Sequence, residues 1–340
     1  MEEKSTGQSK SPQGINLSMG LVEWFLLCTL SVLWGGSFFF VEVAVQELPP
    51  LSIVVLRVGL AALTLWGVLI LSGIHINLTR KLCGTFLVMG LLNNAIPFYL
   101  LVWGQTQIAS GLASILNATT PVFTVIVAGV LLADERITPL KLLGVLTGLG
   151  GVVLIFGTEA LSVMVESGNP IWGQLACVGA AISYAFAGVF GRRFKEMGVT
   201  PMVTAAGQVT ASTMLLAPVA FIMDKPWDLP IPSMWTWLSI SGLAVVSTAL
   251  AYIIYFRLLG TAGATNLLLV TLLVPITAIL LGALILGEQL QPKHYIGLSV
   301  IGLGLSAIDG RLWRGMKAII TSPMGKKHPI QAPSEVANQD

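Results

Sequence analysis

Two stretches of 23 residues carry the pattern from which the rest of the chain is read. ERITPLKLLGVLTGLGGVVLIFG runs from Glu135 to Gly157, and EQLQPKHYIGLSVIGLGLSAIDG from Glu288 to Gly310. At a constant offset of 153, Glu135 falls on Glu288, Pro139 on Pro292, Gly144 on Gly297, Gly151 on Gly304 and Gly157 on Gly310. Small hydrophobes coincide easily; a glutamate, a proline and three glycines at one offset do not. Upstream the offset drifts by one, pairing Pro121 with Pro275 and Asn93–Asn94 with Ser247–Thr248. Further up, Trp34 meets Tyr184 and Pro50 meets Pro201, at offsets of 150 and 151. The chain reads as one unit written twice.

Each copy is apolar along most of its length. Only 10% of the 340 residues are charged, against roughly 25% in an ordinary soluble domain, and 34 charges cannot cover a soluble surface of this size. Windows of about 20 mostly apolar residues, the length that crosses a bilayer, fall at 22–44, 51–72, 82–103, 109–132, 139–157, 171–190, 201–223, 234–256, 263–286 and 294–309. These runs are continuous and do not alternate, which selects helices over barrel strands. The expected fold is all-α, a polytopic membrane protein of ten transmembrane helices. Five helices per copy is an odd number, so the second copy enters from the opposite face and the repeats are inverted. The expected units are a first repeat at 21–157 and a second at 171–310, flanked by tails at 1–20 and 311–340.

Basic residues concentrate in cytoplasmic loops. With the N-terminus placed in the cytoplasm, fifteen of the 18 Lys and Arg residues sort to that side. Lys225 and Lys293 sort to the other side, and Arg57 falls inside a span. An added or missing helix in the middle would destroy this asymmetry, so both termini are expected to be cytoplasmic. The tail from Arg311 is basic and then polar, suited to lie near anionic headgroups.

The residues then resemble a known family. Trp34–Gly35–Gly36–Ser37–Phe38, Leu48–Pro49–Pro50 and Leu56–Arg57 are similar to the start of an EamA repeat of the drug/metabolite transporter superfamily. So are Pro121–Val122–Phe123–Thr124 and Leu132–Ala133–Asp134–Glu135–Arg136 with the glycines from Gly144. The second copy answers with Ala251–Tyr252, Pro275–Ile276–Thr277, Leu286–Gly287–Glu288 and Gly297. It departs at Gln208, where the first copy has Arg57, and at Tyr184, where the first has Trp34. The resemblance implies a ten-helix exporter or exchanger of small metabolites and leaves the substrate open. The expected function is a secondary transporter that exports an amino acid or related metabolite by alternating access between inverted halves, with a site near the midplane. Efflux of amphipathic drugs or cations is the alternative, and a membrane enzyme or subunit the rival class.

Charge deep in a membrane is expensive and marks function. Arg57 lies about six residues, roughly 9 Å at 1.5 Å per residue, below the outer end of the second span. It reads either as an anchor for a carboxylate or phosphate on the substrate, or as half of an ion pair with Glu42 or Glu47. The fourth span carries Ser110, Ser114, Asn117, Thr120 or Pro121, and Thr124 at spacings that share one face. Pro121 deprives a backbone carbonyl of its partner, and Pro275, with Thr271 one turn earlier, is its counterpart in the ninth span. The stripe reads as cavity lining or as packing glue between helices. Further pathway candidates are Ser37, Asn93, Asn94, Gln208, Ser247, Thr248, Tyr252 and Tyr255. Trp34 and Tyr184 sit near the midplane instead of in the interfacial belt, which suits a pocket and equally suits core packing.

Nothing in the spans offers a catalytic pair. The histidines, His75, His294 and His328, stand at helix ends or in the tail, and Cys28, Cys83 and Cys177 have no metal-like spacing. Gly302–Leu303–Gly304–Leu305–Ser306–Ala307 mimics a dinucleotide fingerprint but lacks the strand that must precede one. No enzyme activity, cofactor or metal is expected. The net charge of +2 is too small to suggest a nucleic-acid partner. The expected partners are a small-molecule substrate and the lipid bilayer, and the glycines at 144, 148, 151, 297, 302 and 304 mark helices that pack closely within the chain or at a homodimer seam. The expected place is the plasma (bacterial inner) membrane, crossed many times.

Overall fold

A computed structural model describes residues 19–74, 76–108, 110–133, 138–166, 171–285 and 292–309. Glu135 and Glu288 of the repeated motif, Gly310 and nearly all of both tails lie outside the described residues. Every regular element among the described residues is helical. In chain order these are α1 (Leu21–Ala44), α2 (Pro50–Leu71), α3 (Arg80–Gln105), α4 (Ser110–Asn117), α5 (Thr120–Leu131), α6 (Pro139–Glu166) and α7 (Ile171–Gly191). After a one-turn helix at Arg193–Glu196 come α8 (Pro201–Met223), α9 (Met234–Leu268), α10 (Val270–Ile285) and α11 (Pro292–Asp309).

Local chemistry sets these boundaries. Proline opens α2 and α8 in the first turn, where its missing N–H has no helical partner to lose. Thr79 caps α3 by accepting from Leu82 N, and Ser233 does the same for α9 from Thr236 N. Two helices widen for a few residues into π turns, α3 at Leu91–Ala95 and α9 at Gly242–Leu250. Near its far end α9 breaks at Gly263, whose φ of 83° lies in the left-handed region that only glycine visits freely.

Among the described residues, seven helical stretches are long and apolar enough to cross a membrane. Pro139–Leu154 and Tyr295–Ile308 are shorter apolar helices. The break at Gly263 falls where the ninth sequence window begins, and that window is interrupted at Leu269, between α9 and α10. The fourth window is interrupted at Ala118–Thr119 into α4 and α5.

The distribution of side chains is that of a protein in lipid. Large apolar residues such as Leu21, Ile70, Val130 and Ile222 are exposed, while Arg57, Asn93, Asn94, Gln208 and Thr248 are buried. The glycine-rich helices α6 and α11 pack against each other within the chain. A Cβ at Gly304 would stand 2.5 Å from Gly144 O and 2.6 Å from Gly148 N, and one at Gly151 would stand 2.8 Å from Gly297 O. Here backbone meets backbone.

Candidate functional site

Arg57 lies inside, 6% exposed. Its Nε donates to Thr248 Oγ1 at 2.8 Å, and that hydroxyl donates in turn to Leu243 O at 2.7 Å within the π turn of α9. The guanidinium lies over the Phe98 ring, 3.5 Å from its centroid, a contact that strengthens when both partners are shielded from water. No carboxylate among the described residues pairs with it. Glu47 is taken up elsewhere, and Glu42 keeps a buried Oε2 without any hydrogen-bond partner. The ion-pair reading of Arg57 has no support in this geometry.

The guanidinium borders a cavity between α1, α2, α3, α4, α7, α9 and α10. Six of the sixteen residues expected from sequence line it: Trp34, Ser37, Arg57, Asn117, Tyr184 and Thr271. Its open core is about 40 Å³, room for about three waters at 10–15 Å³ each. Two of the residues that line this space carry a buried amide oxygen without a hydrogen-bond partner, Asn117 Oδ1 and Gln105 Oε1. A buried acceptor left unmade costs roughly 1–3 kcal/mol, so both atoms favour a ligand that donates. Within one cavity, Arg57 supplies donors and the two amides supply acceptors.

The remaining expected residues pack around this cavity without lining it. Asn93 Nδ2 donates to Gln208 Oε1 at 3.1 Å, and Asn94 Nδ2 to Ser212 Oγ at 2.7 Å. Tyr252 OH donates to Asn94 Oδ1 and stacks on Phe98 with centroids 6.4 Å apart. Ser247 donates to Leu33 O at 2.6 Å, and Tyr255 leans on Trp34 at 5.8 Å. Pro275 is buried in α10.

Pro121 corrects an expectation. It stands in the first turn of α5, not in the middle of a continuous helix, and Thr120 Oγ1 donates to Asn117 O at 2.6 Å. The carbonyl that proline deprives is therefore satisfied locally. Sequence reasoning also missed Phe98 and Gln105. Gln105 read as loop punctuation because the apolar window closed at residue 103, and only its position at the end of α3 brings it to the cavity.

At one end of the bundle two carboxylates tie helix starts. Asp224, just after α8, accepts from Ser52 N and Oγ at 2.7 and 2.8 Å in the first turn of α2. Glu47, just after α1, accepts from Ser233 N at 2.6 Å at the start of α9. That backbone N–H, with the Ser233 hydroxyl, holds the exposed Glu47 carboxyl below its ordinary value of 4.5.

Comparison with known proteins agrees with this architecture. The EamA-like transporter family matches the chain over residues 22–157 and again over 171–308. The chain belongs to the EamA-like transporter family. This EamA-like protein is 25% identical over 284 residues to the uncharacterized transporter YoaV of Bacillus subtilis (strain 168), covering 82% of this chain and 94% of that one. It is 29% identical to the uncharacterized inner membrane transporter YedA of Escherichia coli (strain K12), covering 81% and 86%. It is 26% identical to a probable amino-acid metabolite efflux pump of the same strain, covering 83% and 93%. A solved crystal structure shares its fold with a TM-score of 0.68 at 17% identity, over 84% of this chain and 96% of that one. The EamA-like chain is a multi-pass integral protein of the plasma membrane.

Proposed function

We propose that this protein exports a zwitterionic small metabolite, an amino acid or close relative, by alternating access. The observation that carries the reading is the pairing of opposite demands in one cavity. Arg57, with no carboxylate partner among the described residues, calls for an anionic group, while the bare acceptors of Gln105 and Asn117 call for a donor such as an ammonium. Trp34, Phe38 and Phe98 offer the apolar remainder a surface. Amphipathic cations are disfavoured as substrates, because a guanidinium in a weakly screened site repels them. The amino-acid metabolite pump among the relatives supports the same class.

The architecture of the proposal is ten membrane helices in two inverted halves, with both termini on the cytoplasmic side. Contacts that exchange under the repeat offset support it. Adding 153 to Gly144 and subtracting it from Gly304 turns that contact into Gly297 against Gly151, which is also made. The π turns of α3 and α9 stand at equivalent positions, and the Arg57–Thr248 contact has its counterpart, one residue off the offset, in that of Gln208 with Asn93. Such a pair of halves rocks between states of similar energy around a central site.

The test is flux in liposomes holding purified protein. Free amino acids are expected to move, and their N-acetylated and decarboxylated forms to move at least tenfold more slowly. Equal flux of all three forms would refute a zwitterion-reading site.

A further inference from the structure

Phe98 and Tyr252 are counterparts at the offset of 154 that also pairs Asn93–Asn94 with Ser247–Thr248. The two rings stack on each other, with centroids 6.4 Å apart and planes 8° from parallel. A residue that touches its own counterpart lies where the two copies of the repeat meet. Arg57 and Gln208, paired at an offset of 151, stand around that point. Arg57 follows Pro50 at the start of α2 by the same interval as Gln208 follows Pro201 at the start of α8, roughly 10 Å along the axis. In the inverted arrangement proposed above, the first depth is measured from the outer face and the second from the cytoplasmic face.

The surroundings repeat as well. Arg57 lies over the Phe98 ring at 3.5 Å and bonds across the copies to Thr248. Gln208 bonds across the copies to Asn93, and Tyr252 OH donates to Asn93 O at 3.2 Å and to Asn94 Oδ1. Charge distinguishes the two settings, a guanidinium in one and primary amides in the other. So does packing. Arg57 borders the open core of its cavity, while Gln208 and Asn93 are 0% and 1% exposed.

Two primary amides side by side can close a ring with two hydrogen bonds. Asn93 and Gln208 make one, at 3.1 Å from Asn93 Nδ2 to Gln208 Oε1, and leave Gln208 Nε2 and Asn93 Oδ1 without partners. Turning both amides over exchanges the atoms but leaves the same remainder, one donor and one acceptor. Buried polar atoms are satisfied with few exceptions, and each exception needs a reason. Packing alone supplies none here, since closing the second bond would serve packing better.

We infer that Gln208 and Asn93 are the cytoplasmic-face counterpart of the Arg57 site, holding the solute through Gln208 Nε2 and Asn93 Oδ1 when the route opens to that side. This rests on the transport reading and the orientation above. Halves that exchange conformations open, in the other state, the side that is packed here. The spare donor then meets the solute's carboxylate and the spare acceptor its ammonium, so one zwitterion satisfies both. A neutral amide grips a carboxylate less firmly than a guanidinium does. KM is therefore higher from the cytoplasmic face than from the outer one.

The opening is tested without any transported solute. In a background freed of Cys28, Cys83 and Cys177, Gln208→Cys places a thiol at the amide pair and Ser37→Cys one at the Arg57 cavity. Sulfonatoethyl methanethiosulfonate, which does not cross the bilayer, is given to inside-out or right-side-out vesicles. Gln208→Cys is expected to react severalfold faster from the cytoplasmic face, and Ser37→Cys severalfold faster from the outer face. Asn93→Cys takes the place of Gln208→Cys if that variant does not yield folded protein. Silence of the amide-pair thiol from both faces, as static packing requires, overturns the inference, and so do equal rates from the two faces.

Binding is read from liposomes with the fastest-moving of the standard amino acids as probe. Gln208→Met keeps the length of the side chain and removes both donor and acceptor. It is expected to raise KM from the cytoplasmic face severalfold more than from the outer face. A structural role would move both faces alike, and an equal rise overturns the assignment. Absence of flux for every amino acid in wild type, with the labelling pattern intact, counts against the transport reading and leaves the opening beside Gln208 established.

Discussion

Arg57 Nε donates to Thr248 Oγ1 at 2.8 Å, joining α2 to α9 between residues 191 positions apart in sequence. The bond fixes the guanidinium over Phe98 and leaves its other N–H groups for the cavity. Thr248→Val keeps the shape and removes the acceptor, stranding a buried charged donor at a cost of roughly 1–3 kcal/mol. The expected result is a lower melting temperature and a raised KM for solute, both restored by Thr248→Ser. Unchanged stability and KM in Thr248→Val would show that the bond positions nothing.

Arg57 itself separates charge from shape. Arg57→Lys keeps the charge but lacks the planar fork that grips a carboxylate at two points, and Arg57→Gln removes the charge. Flux of carboxylated solutes is expected to fall about tenfold or more in both, with more loss in Arg57→Gln. Equal transport by wild type and both variants would leave the guanidinium with no part in recognition.

The α6–α11 seam gives a stability contrast. Gly304→Ala drives a methyl into Gly144 O and Gly148 N, both backbone, whereas Gly302→Ala meets nothing within 4 Å. Overpacking costs typically about 1–3 kcal/mol. Thermal unfolding in detergent should show Gly304→Ala destabilised and Gly302→Ala near wild type.

Glu47 predicts a pH dependence. Its carboxylate is favoured where it accepts from Ser233, so its value is lowered from 4.5. The contribution to stability is present above the ordinary value and is lost as pH falls through the lowered one. Glu47→Gln should therefore be less stable than wild type near neutrality, and the gap should close as pH falls well below 4.5. A gap that persists in acid would exclude the carboxylate as its source.

Much of this molecule was legible in the order of its residues. Arg57 stood out because it placed a charge deep inside an apolar run and not near its end, and Trp34 and Tyr184 because they sat far from any interface. Pro121 misled, since proline within an apolar window looks the same whether it kinks a helix or starts a new one, and the Thr120 hydroxyl that decides the matter acts at short range. Phe98 was invisible for a different reason. Nothing in sequence distinguishes an aromatic ring that packs against leucine from one that lies under a guanidinium. Gln105 fell beyond a window drawn by hydropathy, although helix geometry carries it two residues further.

The contact between α6 and α11 limits how these two helices can move against each other. With Gly144 against Gly304 and Gly151 against Gly297, the helices cross on their own carbonyls. Sliding by even one residue would force leucine or isoleucine side chains into the opposing backbone. Turning about the crossing point leaves both pairs in register. The seam thus behaves as a journal bearing, and on the proposed alternating-access reading the solute is passed by tilt, not by translation.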